Sequence, residues 1–227
     1  MILAQLGAEV IAIEPPGGQR ARRQRPYAED TADPEKSLTH WAYNRGKHSL
    51  TLDLDDELDL QQLEQLASTA DAVIDSGASG VDLASLRSKH PHLVTASISG
   101  FGESGPKADW ATSDIINTAA SGTMGITGDR DRAPVRLSLP QTWHFAASDA
   151  LCGVLLALRE RESSGLGQHI DVAAQHSYLI ASQYQMLYPF AGVPSTRRLS
   201  GGAEIGPITL KLVYQAVDGY VSIVFLV

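Results

Sequence analysis

Cysteine is almost missing: Cys152 is the only one in 227 residues. No intrachain disulfide can form, so the fold must rest on a packed core, and a reducing, cytoplasmic compartment is expected. Cys152 lies in the apolar run 150–158 and reads as a small buried hydrophobe rather than a nucleophile. No uninterrupted apolar stretch approaches the roughly 20 residues that span a bilayer. The start does not read as a signal peptide, because Glu9 and Glu14 interrupt its apolar segment and no basic region precedes it. Basic charge is in deficit as well. Lys and Arg number 18 against 26 Asp and Glu, a net charge of −8. That disfavours a nucleic-acid or membrane-surface binder, which needs a basic face, but it leaves room for a local cationic pocket.

Short chemical motifs are lacking too. There is no glycine-rich Walker loop, no G-x-G-x-x-G after a strand, and no G-x-S-x-G elbow. The seven histidines are scattered and show no metal-ligand spacing. Local motifs alone lead no further than an α/β domain of unknown ligand.

The patterning that is present is informative. Residues 9–14 alternate apolar and polar and end at Pro15-Pro16-Gly17-Gly18, which predicts a strand and a hard stop. Residues 19–35 are polar, with Arg20, Arg22, Arg23 and Arg25 close together; this reads as a loop, either solvated or facing a phosphate. A strand is predicted over 50–54, a helix over 55–68 with Leu58, Leu60, Leu63 and Leu66 on its apolar positions, and a strand over 72–75. A small-residue loop over 76–80, a helix over 81–90 and a strand over 93–99 follow. This alternation is the mark of a parallel sheet with crossover helices, and in such sheets ligands bind at the carboxyl ends of the strands. Helices over 114–121 and 145–162, a strand over 168–172 and a helix over 173–187 broken by Pro189 complete a large domain, 1–190. Residues 191–206 read as a linker. Strands 208–213 and 220–227 flank Asp218-Gly219, a hairpin signal, so 207–227 reads as the start of a smaller β-containing domain. Both ends look abrupt, the first in the tail of a helix and the last inside an apolar strand, and the chain is expected to be a fragment lacking a first strand.

Four segments taken together resemble the class III CoA-transferases, the family that includes formyl-CoA transferase, carnitine CoA-transferase and α-methylacyl-CoA racemase. They are residues 6–18 (LGAEVIAIEPPGG), 44–54 (NRGKHSLTLDL), 97–102 (SISGFG) and 164–172 (SGLGQHIDV). Each is weak alone; their order and spacing over nearly the whole chain carry the resemblance. It implies a Rossmann-like large domain plus a small one, an interlocked homodimer, no permanently bound cofactor, and coenzyme A or acyl-CoA as a substrate with a small carboxylic acid.

Carried over by residue, Lys47 matches the cation that reaches the nucleotide end of CoA, with Arg45 a second candidate; a flexible ammonium suits a phosphate. Gly100 and Phe101 match a loop near the thioester arm, where glycine would let backbone approach the ligand, although a plain strand-to-loop turn reads equally well. Ser76 opens the loop 76–80, where the family has Asn-Phe-x-Pro-Gly and this sequence has lost the aromatic and the proline. The largest departure is catalytic. The family's nucleophilic aspartate, which attacks the thioester, falls at Trp143 when counted back from Gly153. A one-residue shift gives Thr142 or His144, of which only His144 is a weak candidate. Asp149 lies on another helix face. The racemase branch would need a histidine where Ser113 stands. The resemblance therefore implies a CoA-transferase family protein that binds acyl-CoA without the usual nucleophile, either with altered chemistry or as the non-catalytic half of a paired or fused transferase. Two alternatives remain open: a structural or interaction subunit that binds no CoA, and an active transferase using Asp114 or Asp149.

Overall fold

The computed structural model describes residues 1–76, 79–182, 187, 190–192, 198–205 and 208–223. Its elements, in chain order, begin with a short helix α1 (Ile2–Gln5), strand β1 (Val10–Glu14), two 3-10 turns (Arg20–Arg23 and Ala28–Asp30), helix α2 (Leu38–Asn44) and strand β2 (Lys47–Thr51). Helix α3 (Glu57–Thr69), strand β3 (Ala72–Asp75), helix α4 (Leu83–Lys89) and strand β4 (Val94–Ser99) follow. Helices α5 (Asp114–Ala120) and α6 (Gln141–Ser164), strand β5 (His169–Ala173) and helix α7 (Ala174–Leu179) come next. The described part ends in strands β6 (Gly202–Ile205), β7 (Ile208–Lys211), β8 (Val213–Gln215) and β9 (Tyr220–Ser222). The chain divides into two compact units, residues 1–97 with 151–170, and residues 98–150 with 171–227.

In the first unit, β1 and β2 pair in parallel, Val10 opposite Lys47 through Glu14 opposite Thr51. A second sheet has the order β3-β4-β5, with β3 and β4 parallel, Ala72 opposite Val94. Alternate β4 residues face one core cluster, as the period of two requires, and the residue before the strand faces another. Leu93, just before the strand, packs with Ala67, Leu83 and Leu86 from α3 and α4. Val94 and Ala96 pack with Val154 and Ala157 of α6. The flanking helices start where side chains accept orphan N–H groups. Asp56 accepts from Leu58 and Asp59 at the head of α3, and Asp82 accepts from Ser85 at the head of α4. Gly167 explains the second glycine of the S-G-L-G segment: a Cβ there would lie 2.0 Å from the Leu93 carbonyl oxygen. Its own N–H donates to the Pro91 carbonyl at 2.7 Å, so β5 enters the sheet by direct backbone contact that only glycine permits.

The α/β class, the order of elements and the parallel pairing agree with the sequence reading. Several details differ. The strand expected over 50–54 is Lys47–Thr51, because its register is set by the ladder with β1 rather than by its apolar residues, so Lys47 is the first residue of the strand and does not precede it. Helix α2 was not anticipated; Ser37 caps it by accepting from the His40 N–H. Helix α3 turns Leu63 and Ala67 inward, while Leu58 is exposed. Cys152 is exposed rather than buried, since α6 presents Val154 and Ala157 to the sheet and turns Cys152 and Leu156 away. The helix expected over 173–187 is α7 and then a 3-10 turn, Ile180–Ser182; residues 183–186 and Pro189 lie outside the described residues.

In the second unit, the stretch expected to be a linker contains β6, antiparallel to β7. The hairpin about Asp218-Gly219 forms, but its first arm is β8 rather than the run from 208, pairing Val213 with Ser222. The last four residues of the strand expected over 220–227 lie outside the described residues.

Candidate functional site

The predicted site residues divide between the two units: Arg45, Lys47 and Ser76 in the first, Gly100, Phe101, Trp143 and His144 in the second.

In the first unit, α2 ends at Asn44, and Gly46, with φ +76, turns the chain into β2. That turn brings Lys47 back over the helix end. Lys47 Nζ donates to Asn44 Oδ1 at 2.9 Å. The Asn44 amide nitrogen in turn sits 3.2 Å from His40 Nδ1 and donates to the His40 carbonyl at 3.1 Å. Lys47 is half-buried. Burial lowers its ammonium below the usual lysine value, opposed by a hydrogen bond to the chain's amino group and by the Glu14 charge. His40 is lowered by burial and by the Arg22 charge. A cavity of about 210 Å³ is lined by His40, Trp41, Asn44 and Arg45. The Arg45 side chain is exposed and touches Met1 Sδ at 3.7 Å. Arg45 and Lys47 are thus brought to one helix end, beside an indole and an imidazole that the sequence reading did not single out. The available signal was the four-residue spacing of His40 and Asn44, which puts both on one helix face.

The arginine-rich loop is anchored from within. Arg22 closes on the carboxylate of Glu14, which is 2% exposed. Arg22 also reaches Glu35 at 2.9 Å, and Arg23 donates to the Gly17 carbonyl. The phosphate-facing reading therefore fails for Arg22, whose side chain is 13% exposed and already paired. Ser76 follows the last residue of β3 at its carboxyl end and is exposed; Gly77 and Ala78, the next residues of the altered loop, lie outside the described residues.

In the second unit, Gly100 is required by contact with the chain itself. A Cβ there would stand 2.2 Å from Thr112 Oγ1, and the Gly100 carbonyl accepts from Gln175 N at 3.0 Å. The close approach expected toward a ligand is made to Thr112. Phe101 is buried at 8% exposure and meets the Trp110 ring edge-on at 5.9 Å.

Helix α6 begins four residues earlier than its apolar pattern predicted, so Trp143 and His144 both lie in its first turn. Both are half-buried. Thr142, fully buried, donates its N–H and its hydroxyl to one oxygen of Asp114, at 3.2 and 2.8 Å. Arg136 stands 3.7 Å from the other oxygen. Asp114 therefore serves as an acceptor for the start of α6. Asp149 is exposed on α6. Phe145 packs edge-on against Tyr178 at 5.1 Å, and the Tyr178 hydroxyl is raised by burial and by the Asp114 charge. Among the described residues no cluster of His, Cys, Asp or Glu could hold a metal ion, and no helix is long and apolar enough to cross a membrane.

The sequence model of CoA-transferase family III matches residues 1–227. This chain belongs to CoA-transferase family III. Among its curated relatives, the succinate–glutarate CoA-transferase of Agrobacterium fabrum is 35% identical over 96% of this chain and 56% of its own length. The BbsE subunit of succinyl-CoA:(R)-benzylsuccinate CoA-transferase from Thauera aromatica is 30% identical over 98% of this chain and 55% of its own length. A probable CoA-transferase of Mycobacterium tuberculosis is 33% identical over 97% of this chain and 28% of its own length. The chain thus spans little more than half the length of the first two. Among solved structures, a CaiB/BaiF family protein from Brucella suis matches with a TM-score of 0.81 at 32% identity, over 96% of this chain and 59% of that one. The mixed α/β, parallel-sheet architecture is therefore that of a family III protein.

Proposed function

We propose that this chain is the acyl-CoA-binding part of a family III transferase that moves CoA between carboxylic acids, and that it works as the half without a nucleophile. The observation that carries the reading is Trp143. It occupies the first turn of α6, where the resemblance calls for the attacking aspartate. An indole cannot form an acyl anhydride, and no carboxylate takes its place: Asp114 is engaged by Thr142 and Arg136, and Asp149 is exposed. The aspartate then comes from a paired or fused second half.

Two relatives favour that arrangement. One carries the word subunit in its name. This chain covers 28% of the Mycobacterium tuberculosis protein against 55% of the Thauera aromatica one, so the former is about twice as long, the length that two joined halves would have. Relatives acting on succinate, glutarate and benzylsuccinate point to dicarboxylic acids as the acid class.

On this reading Lys47, steadied by Asn44, meets a phosphate of CoA, with Arg45 beside it. Gly100 and Phe101 shape the loop after β4, and Ser76 opens the loop after β3. The test is titration calorimetry of the full-length parent protein with CoA and succinyl-CoA, beside Lys47→Ala. Binding by the parent that weakens about tenfold in the variant is expected. Absence of binding in the parent would move the chain to the interaction-subunit class.

A further inference from the structure

The loop that follows β4 carries an ammonium with no carboxylate partner among the described residues. Lys107 Nζ lies 5.8 Å from the centre of the Phe101 ring and 5.4 Å from that of Trp110. Among the described residues it enters no ion pair, in a chain where acids outnumber bases by eight. Phe101 is buried and anchors the pair from below. Trp110 is 58% exposed, so a face of the indole is open to a ligand.

The arrangement is held in place from several sides. The Trp110 N–H donates to the Lys107 carbonyl at 3.0 Å, and Ala108 N–H to Gly105 at 3.3 Å, so the turn folds the indole over the lysine stem. At the loop's start, Ser99 Oγ accepts from Gly102 N–H at 2.8 Å. Both oxygens of Asp171 accept from Glu103 N–H, at 3.1 and 3.0 Å. The loop therefore leaves the strand fixed, and its cation and aromatic face are presented before any ligand arrives. Its position is the carboxyl end of β4, where open α/β sheets take their ligands.

We propose that Lys107 and Trp110 form a subsite for an organic acid anion, whose carboxylate meets the Lys107 ammonium while its hydrocarbon body lies on the open Trp110 face. Cation–π contact orients the ammonium without neutralising it, so the charge remains available to a carboxylate. An inorganic anion would use the lysine alone; an acid with an apolar body uses both residues. The subsite rests on the transferase reading only for its role, which would be to select the carboxylic acid reactant.

The test uses the full-length chain and two probes of equal shape, benzoate and its neutral analogue benzamide. Binding is read from broadening of the probes' proton NMR lines, which needs no indole, and indole fluorescence of the parent against Trp110→Phe places the probe at Trp110. Benzoate is expected to bind about tenfold tighter than benzamide. Lys107→Gln should erase that preference, and Trp110→Leu should weaken both probes. Both substitutions are at a loop surface, and circular dichroism of each variant should match the parent. Equal binding of the two probes, a preference that survives Lys107→Gln, or no benzoate binding up to about 10 mM would each overturn the proposal. CoA titrations of the same variants keep the two readings apart. CoA binding that persists while benzoate binding is lost assigns the defect to the acid subsite. CoA binding absent from the parent rejects the transferase reading and leaves the benzoate result to stand by itself.

Discussion

Arg22 grips Glu14 by two hydrogen bonds, Nε to Oε2 at 2.6 Å and Nη2 to Oε1 at 2.8 Å. Gln19 N–H and the Ser49 hydroxyl donate to the same carboxylate, at 3.0 and 2.8 Å. A charge that is 2% exposed is thereby supplied with partners from both β2 and the loop after β1, which is the condition under which burial of an ion pair is tolerated. The pair ties the E-P-P-G-G turn to the arginine-rich loop.

The acid limb of stability should follow from this pair. Arg22 holds the Glu14 carboxyl at about 2, below its ordinary 4.5. A carboxyl lowered on folding stabilises the native state in full above its unfolded value, and that contribution fades as pH falls from about 5 toward 2. Glu14→Gln should remove about 3 kcal/mol at neutral pH and flatten the decline below pH 5. Urea melts at pH 7 and pH 3 check this; a variant with the parent's pH dependence would show that Glu14 is not the responsible group.

Gly167→Ala should be among the most damaging single-methyl changes in the chain. The added carbon would stand 2.0 Å from the Leu93 oxygen, and the contact is backbone to backbone, so no side chain can rotate away. A loss of about 2–4 kcal/mol is expected, read as a lower thermal midpoint. Gly219→Ala is the control, because nothing lies near its Cβ position.

Lys47→Met should separate stability from ligand binding. Burial disfavours the Lys47 charge, and a methionine of similar length relieves that penalty while leaving Asn44 Oδ1 without its donor. The melting midpoint should not fall by more than the equivalent of about 1 kcal/mol, while CoA affinity drops. A variant whose midpoint falls well beyond that while its folded form keeps the parent's CoA affinity would reverse the assignment of Lys47 from ligand contact to structural support.

The missing nucleophile can be read by mass. With succinyl-CoA, an attacking aspartate would expel CoA thiolate and form an aspartyl–succinyl anhydride; the thiolate would then attack the aspartyl carbonyl, releasing succinate and leaving an enzyme–CoA thioester. Intact mass spectrometry of this chain by itself should show neither adduct. A CoA adduct mapped to Asp114 or Asp149 would overturn the non-nucleophilic reading and make the chain a transferase with a relocated carboxylate.

Much of the fold was legible because periodicity and punctuation are local signals. The alternation of 9–14, the leucine spacing over 55–68 and the Pro-Pro-Gly-Gly exit place strands and helices without any knowledge of what packs where. The family was legible for a related reason: its marks are short runs in a set order. What was not legible needed partners distant in sequence. Helix α6 begins at Gln141 rather than Phe145 because Asp114, 28 residues away, accepts from Thr142. The strand register at Lys47 is dictated by β1, and Cys152 is exposed because of where α6 meets the sheet.

The sequence by itself determined the α/β class, the parallel pairing and the family, and it put Trp143 at the position that the resemblance assigns to a carboxylate. Each is carried by residue identity or by short-range spacing. Tertiary structure alone decided that Arg22 is an internal counter-ion rather than a phosphate ligand, that Gly100 makes room for Thr112, that Asn44 steadies Lys47, and that Lys107 lies beside the Phe101 and Trp110 rings. Those outcomes depend on which charges share a low-dielectric site and which backbones touch, and such contacts exist only once the chain has closed on itself.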